Sequence, residues 1–188
     1  MPLSPPVERE PIHRRVVECR GYRRSDGLWD IEGHITDTKA YAFPNQFRGQ
    51  IRAGEPLHEM WIRLTIDDEM LIHGVEAVTD AGPYAVCPAI TPKFAALAGL
   101  KIGPGWTRAV RERLGGVKGC THLVELLGPV ATVAYQTLVA KRMKRLEETP
   151  ADKRPSVIDT CHAYASDGEV VRQRWPKFYT GADKAPAG

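Results

Sequence analysis

The chain lacks most of the signals that announce a function. Its four cysteines, Cys19, Cys87, Cys120 and Cys161, are widely scattered and form no Cys-x-x-Cys pair. That spacing argues against a zinc ribbon and, in a reducing compartment, against structural disulfides. No apolar run approaches the roughly 18 residues of a membrane span. The opening Met1-Pro2-Leu3-Ser4-Pro5-Pro6 has neither the basic nor the apolar segment of a leader. A cytoplasmic protein with no membrane partner is expected. Charge of one sign is also missing: 26 Lys and Arg against 23 Asp and Glu give a formal net charge of +3, too little to build a basic field for nucleic acid. No Gly-x-x-x-x-Gly-Lys-Ser/Thr and no Gly-x-Gly-x-x-Gly opens a helix after a strand, so neither nucleoside triphosphates nor dinucleotides are indicated.

What is present is enough for a core. With 188 residues, 43% of them hydrophobic, one globular domain over residues 12–174 is the expected organisation. It lies between a proline-rich extended arm (1–11) and an irregular tail (175–188). Ile12–Arg20 and Trp29–Thr36 read as strands joined by hairpin chemistry at Ser25-Asp26-Gly27. In the second strand Trp29, Ile31 and Ile35 share one face, and Asp30, Glu32, His34 and Thr36 the other. That polar row is either a wetted sheet face or the wall of a pocket. Residues 40–56 carry Pro44, Gly49, Gly54 and Pro56 without a sustained period and read as a loop or broken excursion of the kind that often covers a site.

His58–Asp67 alternates cleanly, with His58 opening an apolar face of Met60, Ile62, Leu64 and Ile66. Asp67-Asp68-Glu69 is an acidic turn into a fourth strand, Met70–Val78, and lacks the spacing of a calcium loop. Thr91-Pro92 caps a short helix ending at Gly99, and Trp106–Leu114 is a second. A long helix follows from Thr121 to about Glu148, with Pro129 as a kink point. Ser156–Tyr164 and Glu169–Arg172 read as a last pair of strands. The sum is an α+β domain with a mainly antiparallel sheet of four to six strands, packed by one long helix and two short ones. A homodimer is the expected oligomer.

The chemistry concentrates at Gly119-Cys120-Thr121-His122-Leu123-Val124-Glu125, where a turn enters the long helix. His122, Glu125, Pro129, Thr132 and Gln136 recur at three- and four-residue steps and share a face. That face is a solvent stripe or a polar pocket wall. A carboxylate beside an imidazole fixes its tautomer and holds a base ready. Cys120, just before the helix, packs as a small apolar thiol or acts as a nucleophile. Cys120, His122 and Glu125 joined by Cys87, Cys161 or His162 would suit a metal by ligand type, although the spacing carries no paired motif.

His13-Arg14-Arg15, Arg24–Glu32, Leu57-His58-Glu59-Met60, Pro83–Cys87 and Gly119–Leu123 together resemble the elements of an uncharacterised bacterial domain-of-unknown-function family, over roughly residues 12–165. The resemblance implies a place in the bacterial breakdown of aromatic compounds. It also implies similarity to small cofactor-independent lyases that release formaldehyde from lignin-derived phenylcoumaran dimers. Such chemistry needs only proton carriers, so no cofactor and no metal are expected. The candidates by residue type and face are His122, Glu125, His58, Glu32 and His34, with Arg63 to steady a phenolate and Trp61, Tyr84 and Trp106 to pack an aromatic substrate. Two other classes stay open: a hydrolase using Cys120 or a metal, and a non-catalytic small-molecule binding protein.

Overall fold

The computed structural model describes residues 3–148, 150 and 152–181. Its centre is an antiparallel sheet of β1 (His13–Arg23), β2 (Trp29–Lys39), β5 (Pro56–Ile66) and β6 (Ile72–Ala81), in the order β1-β2-β5-β6. The fold is α+β, as the alternation of the four strands implies. Gly27, at φ +89°, supplies the left-handed residue that the β1–β2 hairpin requires. Ile31, Ile35, Met60, Ile62, Leu64 and Ile66 all point to one side and are buried there.

That side is covered by α1 (Trp106–Leu114) and α2 (Thr121–Thr137). Val110 and Leu114 come from the first, Leu123, Leu126, Leu127, Val130 and Ala134 from the second, and Phe94 and Leu97 from the segment before them. The other face of the sheet carries the polar alternates, Asp30, Glu32, His34 and Thr36 among them. Glycine lets α2 lie close to the strands. A Cβ on Gly33 would stand 2.6 Å from Val130 Cγ2, and one on Gly21 would stand 1.8 Å from Thr137 Oγ1.

Several local readings change. Residues 40–56 hold a small hairpin, β3 (Phe43–Asn45) and β4 (Gly49–Ile51), instead of a plain loop. The Asn45 carboxamide accepts from the Phe47 and Arg48 N–H groups and so closes the turn. The short helix expected from Thr91 is a run of 3₁₀ turns from Cys87 to Leu97. Pro92, inside the run, removes an N–H donor that a continuous α-helix there would use. The long helix passes through Pro129 and ends at Thr137; Leu138 leaves helical geometry, and α3 (Val139–Glu147) begins after it.

The expected final strands are not strands. Ser156–Tyr164 forms turns with one 3₁₀ turn at His162–Tyr164, and α4 (Glu169–Arg174) replaces the second. Asp159 organises this stretch: its N–H bonds Tyr164 O and its carboxylate accepts from Ser166 N. Glu169 then pairs with Arg172 one turn on. Short β-branched runs such as Val157-Ile158 and Val170-Val171 fit strand and helix equally well by period. Residues 182–188 of the expected tail, and Met1 and Pro2 of the arm, lie outside the described residues. By its internal contacts the chain divides into two compact units, Met1–Val139 and Ala140–Gly188. Among the described residues no single helix is long and apolar enough to cross a membrane.

The close approach of α2 makes a direct prediction. Gly33→Ala should destabilise the protein by roughly 1–3 kcal/mol through overpacking against Val130, and Val130→Ala in the same chain should recover part of that loss. Denaturant unfolding of the single and double variants measures both. A Gly33→Ala protein as stable as the parent would contradict the packing described.

Candidate acid–base site

The site is built around an acidic residue on the core face of the sheet. Asp37 continues the inward row of Ile31, Gly33 and Ile35, and is 1% exposed. A carboxylate so placed must be paired. Arg15, its cross-strand neighbour on β1, supplies a two-pronged contact: Nε to Oδ1 and Nη2 to Oδ2, each 2.8 Å. His13 Nε2 lies 2.9 Å from Oδ1, and His58 Nδ1, from the facing position on β5, lies 3.1 Å from Oδ2. A register shift in the β2–β5 ladder falls between Asp37 and Thr38, the kind of irregularity that re-aims side chains at a strand end.

The first turn of α2 closes the site. The His122 ring lies against His58 at 3.8 Å between centroids, tilted by 32°. Glu125 Oε2 accepts from Arg15 Nη1 at 2.6 Å, so one guanidinium joins two carboxylates. Cys120 Sγ lies 3.9 Å from His122 Nδ1 and 3.8 Å from Met60 Sδ.

Burial pushes the Asp37 carboxyl up, but the Arg15 hydrogen bonds and charge, aided by His13 and His58, carry it net below the ordinary carboxylate value. Burial, followed by the neighbouring His122, pushes the His58 imidazole below its ordinary value, against the pull of Asp37 in the other direction. With Asp37 ionised and His58 neutral, the carboxylate can only accept at this contact, so Nδ1 carries the proton and Nε2 is the basic atom. Two imidazoles in contact, one oriented by a buried carboxylate, can take up and return protons in succession. The same groups can also hold an ion, since one ligand atom from each of Asp37, His58 and His122 lies within 4.8 Å of the others.

Of the residues singled out from sequence, the structure thus gathers His58, His122 and Glu125. Glu32, His34, Arg63 and Trp61 lie together on the opposite face of the sheet. There Arg63 bridges Glu32 and Glu76, and His34 stacks on Trp61 at 3.6 Å and 7°. Tyr84 is exposed and meets Phe47 edge-on. Trp106 is buried with its Nε1 directed at Leu127 O, 3.4 Å away, and lines a groove of about 500 Å³ between α1 and α2. Val110, Leu114, Val124 and Leu127 are its apolar walls, and Glu125 stands at its edge. Along the polar stripe of α2, Pro129, Thr132 and Gln136 are exposed to solvent, Glu125 lines the groove and His122 meets His58.

Asp37, Arg15 and His13 escaped the sequence reading. The signal for Asp37 was there: it extends the odd-numbered inward row of its strand, where a carboxylate is out of place unless paired.

A family model described as a protein of unknown function, DUF2889, matches residues 13–136. The chain belongs to that family. The DUF2889 match begins at His13 and ends inside α2, so it takes in every residue of the Asp37 cluster and none of the second compact unit. No curated protein and no solved structure matches the chain.

The shifted groups fix a pH dependence. His58, with its folded value lowered, favours the native state fully above about pH 6.5 and progressively less as pH falls from there toward that lowered value. Asp37, also lowered, adds a second loss as pH falls below about 4. Stability to denaturant should therefore drop from pH 7.5 to 5, and His58→Gln should shrink that drop. An identical decline in the variant would mean that another group titrates.

Proposed function

We propose that the Asp37–His58–His122 cluster is the proton-transfer centre of a carbon–carbon lyase that releases formaldehyde from a lignin-derived dimer of the phenylcoumaran type, leaving a stilbene-type product. The observation that carries the reading is the contact between His58, oriented by a buried carboxylate, and His122. The resemblance to small formaldehyde-releasing lyases supplies the substrate class. Supporting it is the apolar groove beside Glu125, whose volume falls in the range of small-molecule sites and whose lining suits an aromatic ring.

The chemistry balances without an outside electron acceptor. A base removes the phenolic proton, and the benzylic C–O bond opens to a quinone methide while an acid protonates the departing phenoxide. A base then removes the side-chain alcohol proton. The C–C bond breaks, its electron pair restores the aromatic ring and forms the new double bond, formaldehyde leaves, and the ring phenolate is reprotonated. Two protons are taken and two returned, which two adjacent imidazoles can supply in alternation. Arg15, shared between Asp37 and Glu125, is a cation open to a phenolate that displaces Glu125, and Arg111 is a second one in the lining of the groove. In this reading Glu32, His34, Arg63 and Trp61, on the far face of the sheet, take no part in the reaction.

Chelator-treated protein incubated with phenylcoumaran dimers should release formaldehyde and the conjugated product in equal amounts. His58→Ala and His122→Ala should each lower the rate by roughly 100-fold or more. Absence of release from every dimer by folded protein would overturn the proposal, as would unaltered rates in both variants.

A further inference from the structure

We propose that the same cluster is a binding site for a zinc-class divalent cation, held by Asp37, His58 and His122 with Cys120 as the fourth donor, and that the bound ion silences the two imidazoles as proton carriers. The silencing rests on the acid–base reading; the binding does not.

The donor set decides the class of ion. Two imidazole nitrogens, a thiol and one carboxylate suit a borderline-soft transition ion, whereas calcium and magnesium require shells made of oxygen. The spacing is close to what such an ion needs. With bonds of about 2.0–2.3 Å, neighbouring donors on a tetrahedral zinc stand about 3.3–3.6 Å apart. His58 Nδ1 and Asp37 Oδ2 are 3.1 Å apart, and one atom from each of Asp37, His58 and His122 falls within 4.8 Å of the others; Cys120 Sγ, 3.9 Å from His122 Nδ1, stands outside that group and must swing in from its contact with Met60 Sδ. The hydrogen bond between His58 and Asp37 is thus exchanged for the ion with little movement of either group. The orientation of the two rings is the larger obstacle. Their planes lie 32° apart at 3.8 Å, so their in-plane lone pairs converge only when the His122 ring turns about its side-chain bonds. His122 is at the start of α2 and only half-buried, as His58 is.

Charge favours the ion as well. Arg15 is the cation of the cluster, and it is offset by both Asp37 and Glu125. With its histidines neutral, the cluster carries one net negative charge. On binding, the His58 imidazole stays neutral as its proton moves from Nδ1 to Nε2, and the Cys120 thiol releases one proton to solvent. Once both imidazoles hold the ion, neither has the lone pair needed to take a proton from a substrate.

Calorimetric titration of the chelator-treated, full-length protein with Zn2+ alone should give one equivalent bound with a Kd of about 10 μM or tighter. Repeated in buffers of different ionisation enthalpy, it should report about one proton released. With Co2+ the complex should show the near-ultraviolet charge-transfer band of a thiolate ligand, and Cys120→Ser should lose that band and the released proton. His122→Ala and, separately, His58→Gln should weaken binding at least tenfold. No saturable binding up to about 100 μM Zn2+, or equal affinity in both histidine variants, overturns the site. If zinc binds and the protein turns over dimers, one equivalent should abolish formaldehyde release, and full activity at saturation overturns the silencing. Binding by a protein that releases no formaldehyde from any dimer leaves the ion site standing and defeats the lyase reading instead.

Discussion

A carboxylate with almost no contact with water sets the terms for this molecule. Asp37 occupies a position that the alternation of its strand reserves for an apolar side chain. Left alone there it would take up a proton or unfold its surroundings. Arg15 and His13 from one neighbouring strand and His58 from the other answer that demand. The register of the three strands is therefore tied to the site, because a slip of one residue would send Arg15 or His58 to the wrong face. Glu125 extends the pairing to α2 through Arg15, so the helix start is held by charge where the rest of the helix is held by apolar packing.

The two faces of the sheet divide the labour. The covered face combines a dense apolar floor, where glycines at 21 and 33 admit Thr137 and Val130 of α2, with a polar end where His122 meets His58. The open face carries its own ordered set of ion pairs, Arg63 with Glu32 and Glu76 and Arg24 with Asp26 and Asp30. These pairs are substantially exposed, and pairs of that kind contribute little to stability. The adjacency of charged groups on that face is the ordinary dress of a wetted antiparallel sheet, while the adjacency of Asp37, His58 and His122 was assembled against the cost of burial.

Much of the fold was legible because it rests on period. The β1–β2 hairpin, the apolar row opened by His58 and the helix at Trp106 all follow from alternation, turn chemistry or helical spacing. Where period is short or ambiguous the reading failed, as in the Val157-Ile158 and Val170-Val171 runs and in the 3₁₀ segment where Pro88 and Pro92 interrupt an apolar stretch. Half of the site was visible on the same terms. His58 was placed at the edge of a core face and His122 beside Glu125 at a helix start, but sequence could not say that the two rings meet, since 64 positions separate them and only packing joins them. Glu32 and His34 looked as suitable by residue type and sit across the sheet. Parity along the strand distinguishes them from Asp37: even-numbered residues of β2 face outward, odd-numbered ones inward.

The most direct test is the protonation state of one ring. Long-range ¹H–¹⁵N correlation of the histidine side chains, with His58 assigned by its absence from His58→Gln, reports tautomer and charge at each pH. His58 should be neutral at pH 7 with its proton on Nδ1, facing an ionised Asp37. A His58 that is charged at pH 7, or neutral with the proton on Nε2, would contradict that assignment.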